Sequence, residues 1–319
     1  MKRINFLLSL IVLSVGLVSC GDNEITTTST TTSTNSDSNE VEAKGTGLRD
    51  NSIKVLTPEA SGETVYSNDD ASIDASNATE GYIMVAYTGD ASKVRMLIDT
   101  PAGNQYNYLM SLDGEYDVYP LTEGSGTYKV GVYENLHDDQ YVAAFTQSIS
   151  VTLKDEYSMY LYPNAYVDFD ASSKAVAKGK ELAANCDTDL DVITNVYHYI
   201  TKNITYDYDK AETVQSGYIP DVDDTLATGT GICFDYASLM GAMLRSQGIP
   251  TRLEIGYAGT EYHAWVSVYT EDTGWIDNII QFDGKNWELM DPTLGSYASD
   301  KTVKEKLESD SYYQLKYKY

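Results

Sequence analysis

The hydrophobic and polar positions of this 319-residue chain change their spacing twice. Residues 25–40 are almost entirely threonine, serine and acidic or amide residues, so this stretch cannot bury a core. Between residues 65 and 153, apolar and polar positions alternate, which predicts short strands separated by polar turns. After residue 170 the spacing becomes helical. The pattern therefore predicts a polar tether, a β-rich region and a region that begins with helices.

The β-rich region contains six clear strand candidates, and Asp113-Gly114 forms a tight turn between two of them. Strands at this spacing are typical of a β-sandwich of immunoglobulin or fibronectin type, which we predict over residues 65–153. No side chain in it suggests a site, and His137 is expected on a surface loop. We therefore expect a spacer or a binding module. The six strands are predicted at 81–89, 93–99, 104–112, 115–121, 126–135 and 141–153.

Two helices and a long acidic loop follow. One helix begins near Ser172 or Ser173 and ends near Cys186, and a second covers residues 189–203. Residues 205–231 contain no clear periodicity and are predicted as a loop, and long loops in compact domains are usually functional. Their carboxylates could hold Ca²⁺, but the EF-hand pattern is missing, so we predict a solvated acidic rim.

The stretch 229–250 has the strongest chemical character. Glycine and threonine precede Cys233, a helical pattern follows it, and Gly248 and Pro250 end that helix. At the first turn of a helix, unpaired backbone N–H groups and the helix dipole favour negative charge. Such an environment lowers the pKa of a thiol and favours the nucleophilic thiolate. Cys233 is therefore a candidate nucleophile.

Strand candidates after Pro250 supply a base and a carboxylate. His263 opens the second strand, and Asp291 ends the hairpin that follows. A helix followed by an antiparallel sheet can bring a cysteine, a histidine and an aspartate together, as nucleophilic catalysis requires. The strands are predicted at 251–259, 263–270, 274–284 and 285–293.

Charge and composition exclude other classes of function. The formal net charge is −26 and the isoelectric point is about 4.2, which argues against a nucleic-acid partner. The three cysteines and three histidines lack zinc-site spacing, so no metal and no cofactor are expected. Cys186 is predicted to be structural or incidental, and a disulfide between Cys186 and Cys233 would silence the nucleophile. His198 is expected to be packed or on the surface.

The first twenty residues have the pattern of a secretion signal. Lys2 and Arg3 precede an apolar run at residues 4–16 that is too short to span a membrane. The run ends in Leu17-Val18-Ser19-Cys20, which resembles the bacterial lipobox. That resemblance implies acylation of Cys20 and a bilayer anchor at the cell surface or in the periplasm. The alternative is an ordinary signal peptide with an incidental cysteine.

Four pieces of the chain together resemble the transglutaminase-like superfamily of papain-related cysteine enzymes. They are the segment 231–252, then Glu-Ile-Gly-Tyr at 254–257, then His-Ala-Trp at 263–265, then the Trp-x-x-x-Asp-Pro-Thr pattern at 287–293. The resemblance covers about residues 170–295. It is closest to bacterial secreted or lipid-anchored proteins that carry a β-rich region ahead of this domain. It implies an α+β transglutaminase-like, papain-like domain, which we place at 154–319, after a signal peptide (1–20) and a tether (21–64).

The resemblance also assigns roles. Cys233 would be the nucleophile, His263 the general base and acid, and Asp291 the carboxylate that orients the histidine. Trp265 and Pro292 would shape the surroundings of this triad. The sequence departs from many relatives at Ser267, where they carry glutamate. The Cys233 backbone N–H is one oxyanion donor, and we consider Tyr206 as a second.

The sequence as a whole predicts a lipid-anchored extracytoplasmic enzyme that works by acyl transfer through a thioester. Its substrate would be a carboxamide or a peptide bond in a protein or a cell-wall peptide. Water or an amine would then capture the acyl group. The alternative is a non-catalytic surface protein for adhesion or carbohydrate binding, in which the β-rich region does the work. The oligomeric state is left open.

Overall fold

A computed structural model of the chain describes residues 48–276, the strand backbones 280–282 and 287–289, and residues 313–319. These residues lie within one compact unit, Val41–Tyr319. Two predicted functional residues, Cys20 and Asp291, lie outside the described residues. The described helices include none with the length and apolar character that a bilayer crossing requires.

Eight strands build the β-rich region as two antiparallel four-stranded sheets, with strand orders β1-β2-β3-β6 and β5-β4-β7-β8. The six predicted strands are confirmed as β3 to β8, while β1 and β2 are additional. Along β4 and β5 buried positions alternate with exposed or half-buried ones, as one-sided burial requires. The bounds are β1 Val65–Ser67, β2 Ala71–Asp74, β3 Tyr82–Tyr87, β4 Val94–Asp99, β5 Gln105–Leu109, β6 Asp117–Pro120, β7 Gly126–His137 and β8 Gln140–Val151.

The second half of the chain begins with helices. The predicted helices are confirmed as α1 (Lys174–Ala183), α2 (Asp189–Asn203) and α5 (Cys233–Arg245). The predicted loop at 205–231 is wrong, because this segment holds two short helices and the two strands of a parallel pair. They are β9 (Thr205–Tyr206), α3 (Tyr208–Thr213), α4 (Val222–Thr228) and β10 (Thr230–Gly231).

Three carboxylates of the predicted acidic rim hold helix ends. Asp207 accepts a hydrogen bond from the backbone of α3, and Asp221 accepts two from the first turn of α4. Asp223 accepts from both backbone N–H groups that open α1, at 2.9 Å each, so it takes the capping role expected of Ser172 or Ser173. These side chains organise the connections between helices, because each satisfies donors that a helix leaves unpaired.

Helix α5 is the central element of this half. Every residue from Asp235 to Arg245 is buried, which is the pattern of a helix enclosed on all sides. Helices α1, α2 and α4 and two strands, β11 (Thr251–Ala258) and β12 (Glu261–Thr270), contact it. The helix that carries Cys233 is therefore fixed along its length.

The sheet behind α5 is antiparallel and has the order β13-β12-β11-β16. Its outer strands are β13 (Gly274–Ile276) and β16 (Tyr313–Lys318), and β16 has no counterpart in the sequence prediction. Strands β14 (Ile280–Phe282) and β15 (Trp287–Leu289) pair antiparallel, which confirms the predicted hairpin.

The β-rich region and the helical region share one hydrophobic core. The hydroxyl of Tyr106, on β5, accepts a hydrogen bond from the backbone N–H of Lys318 at 3.2 Å. The ring of Tyr319 packs edge-on against Tyr106, Tyr108 and Tyr166. Strand β16 thus lies between the two regions and contacts both.

The segment ahead of the β-rich region is also attached to the helices. Arg49 Nε lies 2.6 Å from the Asp189 carboxylate, and the Lys54 N–H donates to the carbonyl of Ser246 at 2.8 Å. Residues 48–54, which the sequence prediction includes in the tether, therefore contact α2 and the end of α5.

Candidate active site

Cys233 is the first residue of α5 and a free, partly buried thiol. The residue before it, Ile232, has extended backbone geometry and donates its N–H to the Asp235 carboxylate at 2.8 Å. The helix therefore begins at the cysteine as predicted. The backbone N–H groups of its first turn, which have no partner within the helix, lie next to Cys233.

The backbone leading to Cys233 is fixed by the parallel pair of β9 and β10. The Thr205 N–H donates to the Gly229 carbonyl at 2.8 Å, and the Asp207 N–H donates to the Gly231 carbonyl at 2.9 Å. A Cβ at Gly231 would lie 2.7 Å from Cβ of Asp235, too close for any side chain. The turn into the helix thus requires glycine at this position.

His263 lies on β12, opposite Gly256 of β11. Its imidazole is half-buried and stacks on the Trp265 ring, with 6.3 Å between the ring centres and 23° between the planes. Trp265 is almost fully buried, so it gives the histidine a rigid neighbour. The structure brings His263 to the same pocket as Cys233, since both residues line it.

This pocket has a volume of about 540 Å³. Aromatic rings dominate its walls: Phe234 and the tyrosines Tyr166, Tyr206, Tyr218, Tyr262, Tyr317 and Tyr319. Burial raises the pKa of Tyr166 and of Tyr262 to about 12, so these hydroxyls are neutral hydrogen-bonding groups at physiological pH. The pocket is an aromatic groove that opens beside a thiol and an imidazole.

Tyr206, the second predicted oxyanion donor, also lines the pocket. Tyr206 belongs to β9 and pairs with Gly231 of β10, which lies two residues before the cysteine. Its role as a donor stays a prediction, as does the role of Asp291.

Ser267, the departure from the family pattern, is part of a buried pair. Its hydroxyl donates to the Glu254 carboxylate on the neighbouring strand at 2.6 Å, and both side chains are buried. A carboxylate is therefore present within the sheet although the sequence has serine at position 267.

A polar cluster is centred on the buried Asp235, two residues after the cysteine. Asp235 is fully buried, lies 2.8 Å from Lys210 Nζ and accepts from the Tyr218 hydroxyl at 2.5 Å. Lys210 also donates to the Tyr218 hydroxyl at 2.6 Å. Burial and the hydrogen bond to Asp235 raise the pKa of Tyr218 to about 12. The cluster connects α3 and the pocket-lining segment 214–218 to the helix that begins at Cys233.

Four pocket residues that the sequence did not predict come from the β-rich region and from the segment 313–319. They are Arg95, Asn107, Tyr317 and Tyr319. No local pattern marks them, because their position depends on how distant parts of the chain pack. The prediction of a β-rich region without a site is therefore incomplete.

The remaining candidate residues lie elsewhere. Cys186 is buried and free, and burial raises its pKa to about 11, which suits an inert structural thiol. The thiol accepts a hydrogen bond from Asn195 and donates one to the Leu182 carbonyl. His137 and His198 are exposed. Cys186 and Cys233 form no disulfide with each other.

Residues 176–278 match the family model of the transglutaminase-like superfamily. The chain is 27% identical over 160 residues to the UPF0252 protein MJ1282 of Methanocaldococcus jannaschii, a match that covers 46% of this chain and 40% of that protein. It is 37% identical over 70 residues to a protein-glutamine gamma-glutamyltransferase of Pseudomonas aeruginosa, covering 17% of this chain and 10% of that one. The matches thus span less than half the length of these curated relatives.

A solved structure from Cytophaga hutchinsonii, whose name marks it as a candidate cysteine protease, is also similar. It is 15% identical with a TM-score of 0.35, and the match covers 72% of this chain and 68% of that one. A likeness of this size carries no argument about function.

Proposed function

Because the chain contains a domain of the transglutaminase-like superfamily, we propose that it is a lipid-anchored extracytoplasmic cysteine enzyme that attacks carboxamide or peptide carbonyls. Cys233 is the proposed nucleophile, His263 the general base and acid, and Asp291 the carboxylate that orients the imidazole. The observation that carries the proposal is the shared pocket of Cys233 and His263, with the cysteine at the N-terminus of a buried helix.

The geometry supports a thioester mechanism. The Cys233 thiolate adds to the substrate carbonyl, and the oxyanion that forms is held by the Cys233 backbone N–H and by Tyr206. Protonated His263 gives its proton to the departing amine or ammonia, so that the carbon–nitrogen bond breaks and a thioester remains. Neutral His263 then takes a proton from water or from an acceptor amine, which attacks the thioester and releases the thiolate.

Water and amine capture lead to different enzymes from one site. Water gives a hydrolase or peptidase, and a lysine side chain gives a cross-linking transferase. The likeness to a gamma-glutamyltransferase supports amine transfer over the 70 residues that match.

The β-rich region is proposed to be a fibronectin-type sandwich. The sheet β5-β4-β7-β8, together with the strands β2-β3-β6 of the sheet β1-β2-β3-β6, supports this proposal, because such sandwiches pack two antiparallel sheets of this size. Tyr128 lies near the start of β7, and its hydroxyl donates to the Gly124 carbonyl four residues upstream at 2.7 Å. A tyrosine corner of this kind is a hallmark of such sandwiches.

The reactivity of Cys233 tests the enzyme. Iodoacetamide at mildly acidic pH should alkylate Cys233 at least tenfold faster than buried Cys186, as read by site-resolved mass spectrometry. His263→Ala should slow the alkylation of Cys233 at least tenfold, because the imidazolium that stabilises the thiolate is lost. His198→Ala, a change at an exposed histidine, serves as the control.

Indifference of Cys233 to His263→Ala would contradict the proposal and leave the adhesion alternative. The reaction class is then read from a glutamine peptide incubated with a fluorescent amine. Amine incorporation with ammonia release identifies a transferase, ammonia release alone an amidase, and peptide cleavage a protease.

The anchor rests on the resemblance of residues 17–20 to a lipobox and is tested separately. Cys20→Ala should move the protein from the membrane fraction to the soluble fraction of a bacterial host, because the acylated residue is lost. Cys186→Ala is the control. A protein that fractionates identically with and without Cys20 is not anchored there.

A further inference from the structure

The pocket differs in charge from the rest of the chain. The sequence contains 48 acidic residues against 22 lysines and arginines, yet the described lining of the pocket contains no carboxylate. Among the described lining residues, the side chain with a permanent charge is the cation Arg95. Arg95 belongs to β4, in the β-rich region, whereas Cys233 and His263 belong to the helical half.

Neutral partners hold this guanidinium in place. Nη1 donates to the Asn107 side-chain carbonyl at 2.8 Å, and Nε donates to the Tyr141 hydroxyl at 3.0 Å. Within the described part of the chain no carboxylate forms an ion pair with Arg95, and Nη2 donates to no other residue. Among the described residues its charge is therefore paired with no carboxylate, and its orientation is set by Asn107 on the adjacent strand β5 and by Tyr141 on β8.

The charge of Arg95 acts on the pocket itself. Burial raises the pKa of Tyr166, and Arg95 acts in the opposite direction on the same hydroxyl. Asn107, which orients the guanidinium, lines the pocket as well. An oriented, unneutralised guanidinium beside a pocket is suited to a carboxylate, which it can bind through two parallel hydrogen bonds.

We propose that the pocket takes a substrate that carries a free carboxylate close to the carbonyl under attack, and that Arg95 binds this carboxylate. The proposal rests on the proposed function and adds a substrate class to it. The β-rich region then contributes a specificity residue to the site. The carboxylate can come from an acidic side chain or from a chain terminus, and both present the same group.

Two alkylating reagents of similar size test the charge preference without any turnover. Iodoacetate carries a carboxylate and iodoacetamide does not. With either reagent the Cys233 sulfur forms a bond to the methylene carbon and iodide leaves. We expect the iodoacetate-to-iodoacetamide rate ratio at Cys233 to fall about tenfold or more in Arg95→Gln, because one charge-assisted contact is lost. The iodoacetamide rate should change little. Arg95→Lys, which keeps the charge, should retain most of the ratio.

The matched control is Lys129→Gln. Lys129 is an exposed residue of β7, in the same sheet and outside the pocket lining. The substitution Lys129→Gln removes one positive charge from the same region, so it measures the effect of net charge alone. Equal ratios in the wild type, Arg95→Gln and Lys129→Gln would overturn the proposal while leaving the reactive cysteine intact. A cysteine that reacts with neither reagent would instead count against the proposed function.

Peptide binding tests the same proposal independently of the thiol and separates the two carboxylate sources. Three glutamine peptides are titrated calorimetrically into Cys233→Ala: one with a glutamate beside the glutamine and an amidated terminus, one with a free terminal carboxylate, and one with neither. We expect at least one carboxylate peptide to bind about tenfold more tightly than the neutral peptide. That difference should disappear when Arg95→Gln is added and persist with Lys129→Gln. Equal binding of all three peptides would overturn the proposal.

Discussion

A single carboxylate, Asp235, ties the start of α5 to the segment that forms one wall of the pocket. It accepts from the Ile232 N–H on one side, and it holds Lys210 and Tyr218 on the other. Removing one member of a buried ion pair leaves the other charge without compensation, which costs more than the pair itself contributes. Asp235 therefore stabilises the turn that leads into Cys233.

Asp235→Asn should lower the free energy of unfolding by about 2–3 kcal/mol, because Lys210 keeps part of its solvent contact. It should also change the alkylation rate of Cys233, since the pocket segment 214–218 is released. The measurement is urea unfolding together with iodoacetamide kinetics. Asp224→Asn, at an exposed position in α4, is the control. Equal stability of the two variants would show that the cluster is dispensable.

The candidate site residues were predictable wherever the signal is local. A helix start fixes the setting of Cys233, and strand alternation identifies His263, so both are placed at the pocket as the sequence implies. The pairing of Ser267 with Glu254 was not predictable, because it depends on which residues face each other across two strands. The position of Arg95 in the pocket was not predictable for the same reason, because Arg95 is far in sequence from Cys233 and His263.

Between elements, helix α1 approaches helix α5 closely. A Cβ at Gly179 would lie 2.8 Å from the Met243 carbonyl oxygen, so the two helices meet where α1 has no side chain. The far end of α5 is held by Arg245, a fully buried side chain. Its guanidinium donates to the backbone oxygens of Tyr162, Thr251 and Tyr319. Helix α5, which begins at Cys233, is thus fixed at both ends and along one side.

Gly179→Ala gives a test in which two effects have opposite signs. Helix propensity alone would stabilise α1 by about 1 kcal/mol. Overpacking against the backbone of α5 should instead destabilise the protein by about 1–3 kcal/mol, as measured by urea unfolding. Ala177→Ser, on the exposed face of α1, should stay within about 0.5 kcal/mol. A stabilised Gly179→Ala would show that α1 and α5 are not in close contact.

Long elements with a clear period were predictable, and short ones were not. Helix α2 has the bounds Asp189–Asn203 that the sequence implies, because five buried positions repeat along one face. Helices α3 and α4 are six and seven residues long, too short for a periodic signal, and their aspartate caps resemble a solvated loop in sequence. Strand β16 pairs with β11 across a large separation, which no local pattern reports.

At the scale of the whole molecule, tyrosine takes the place that phenylalanine and leucine occupy in other cores. The chain has 28 tyrosines against five phenylalanines. Burial is the first cause of a raised pKa at many of them, in both halves of the described structure. These are Tyr82, Tyr87, Tyr106, Tyr108, Tyr119, Tyr128, Tyr160, Tyr162, Tyr166, Tyr218 and Tyr319.

This composition predicts a steep loss of stability at alkaline pH. An ordinary tyrosine has a pKa near 10, and Tyr128, Tyr166 and Tyr218 have raised values of about 12 in the folded protein. The folded state holds protons that the unfolded state releases, so this contribution is complete below pH 10 and is lost as pH rises toward 12.

Urea unfolding at several pH values should show that decline, and tyrosinate absorbance should rise in two steps. The tyrosines whose pKa burial raises should ionise last, together with unfolding. A flat stability between pH 10 and 12 would contradict the prediction.

The packing of β16 against Tyr106 and the placement of Arg95 have a consequence for modularity. A fragment beginning at residue 154 would keep Cys233 and His263 but would lose Arg95 and Asn107, and the rings of β16 would be left facing water. Such a fragment could still carry a reactive thiol, yet it would select its partners differently. The two regions are successive in the sequence, but both contribute residues to the pocket. With the proposed role of Arg95, exchange of the β-rich region by recombination would therefore change which substrates the pocket binds.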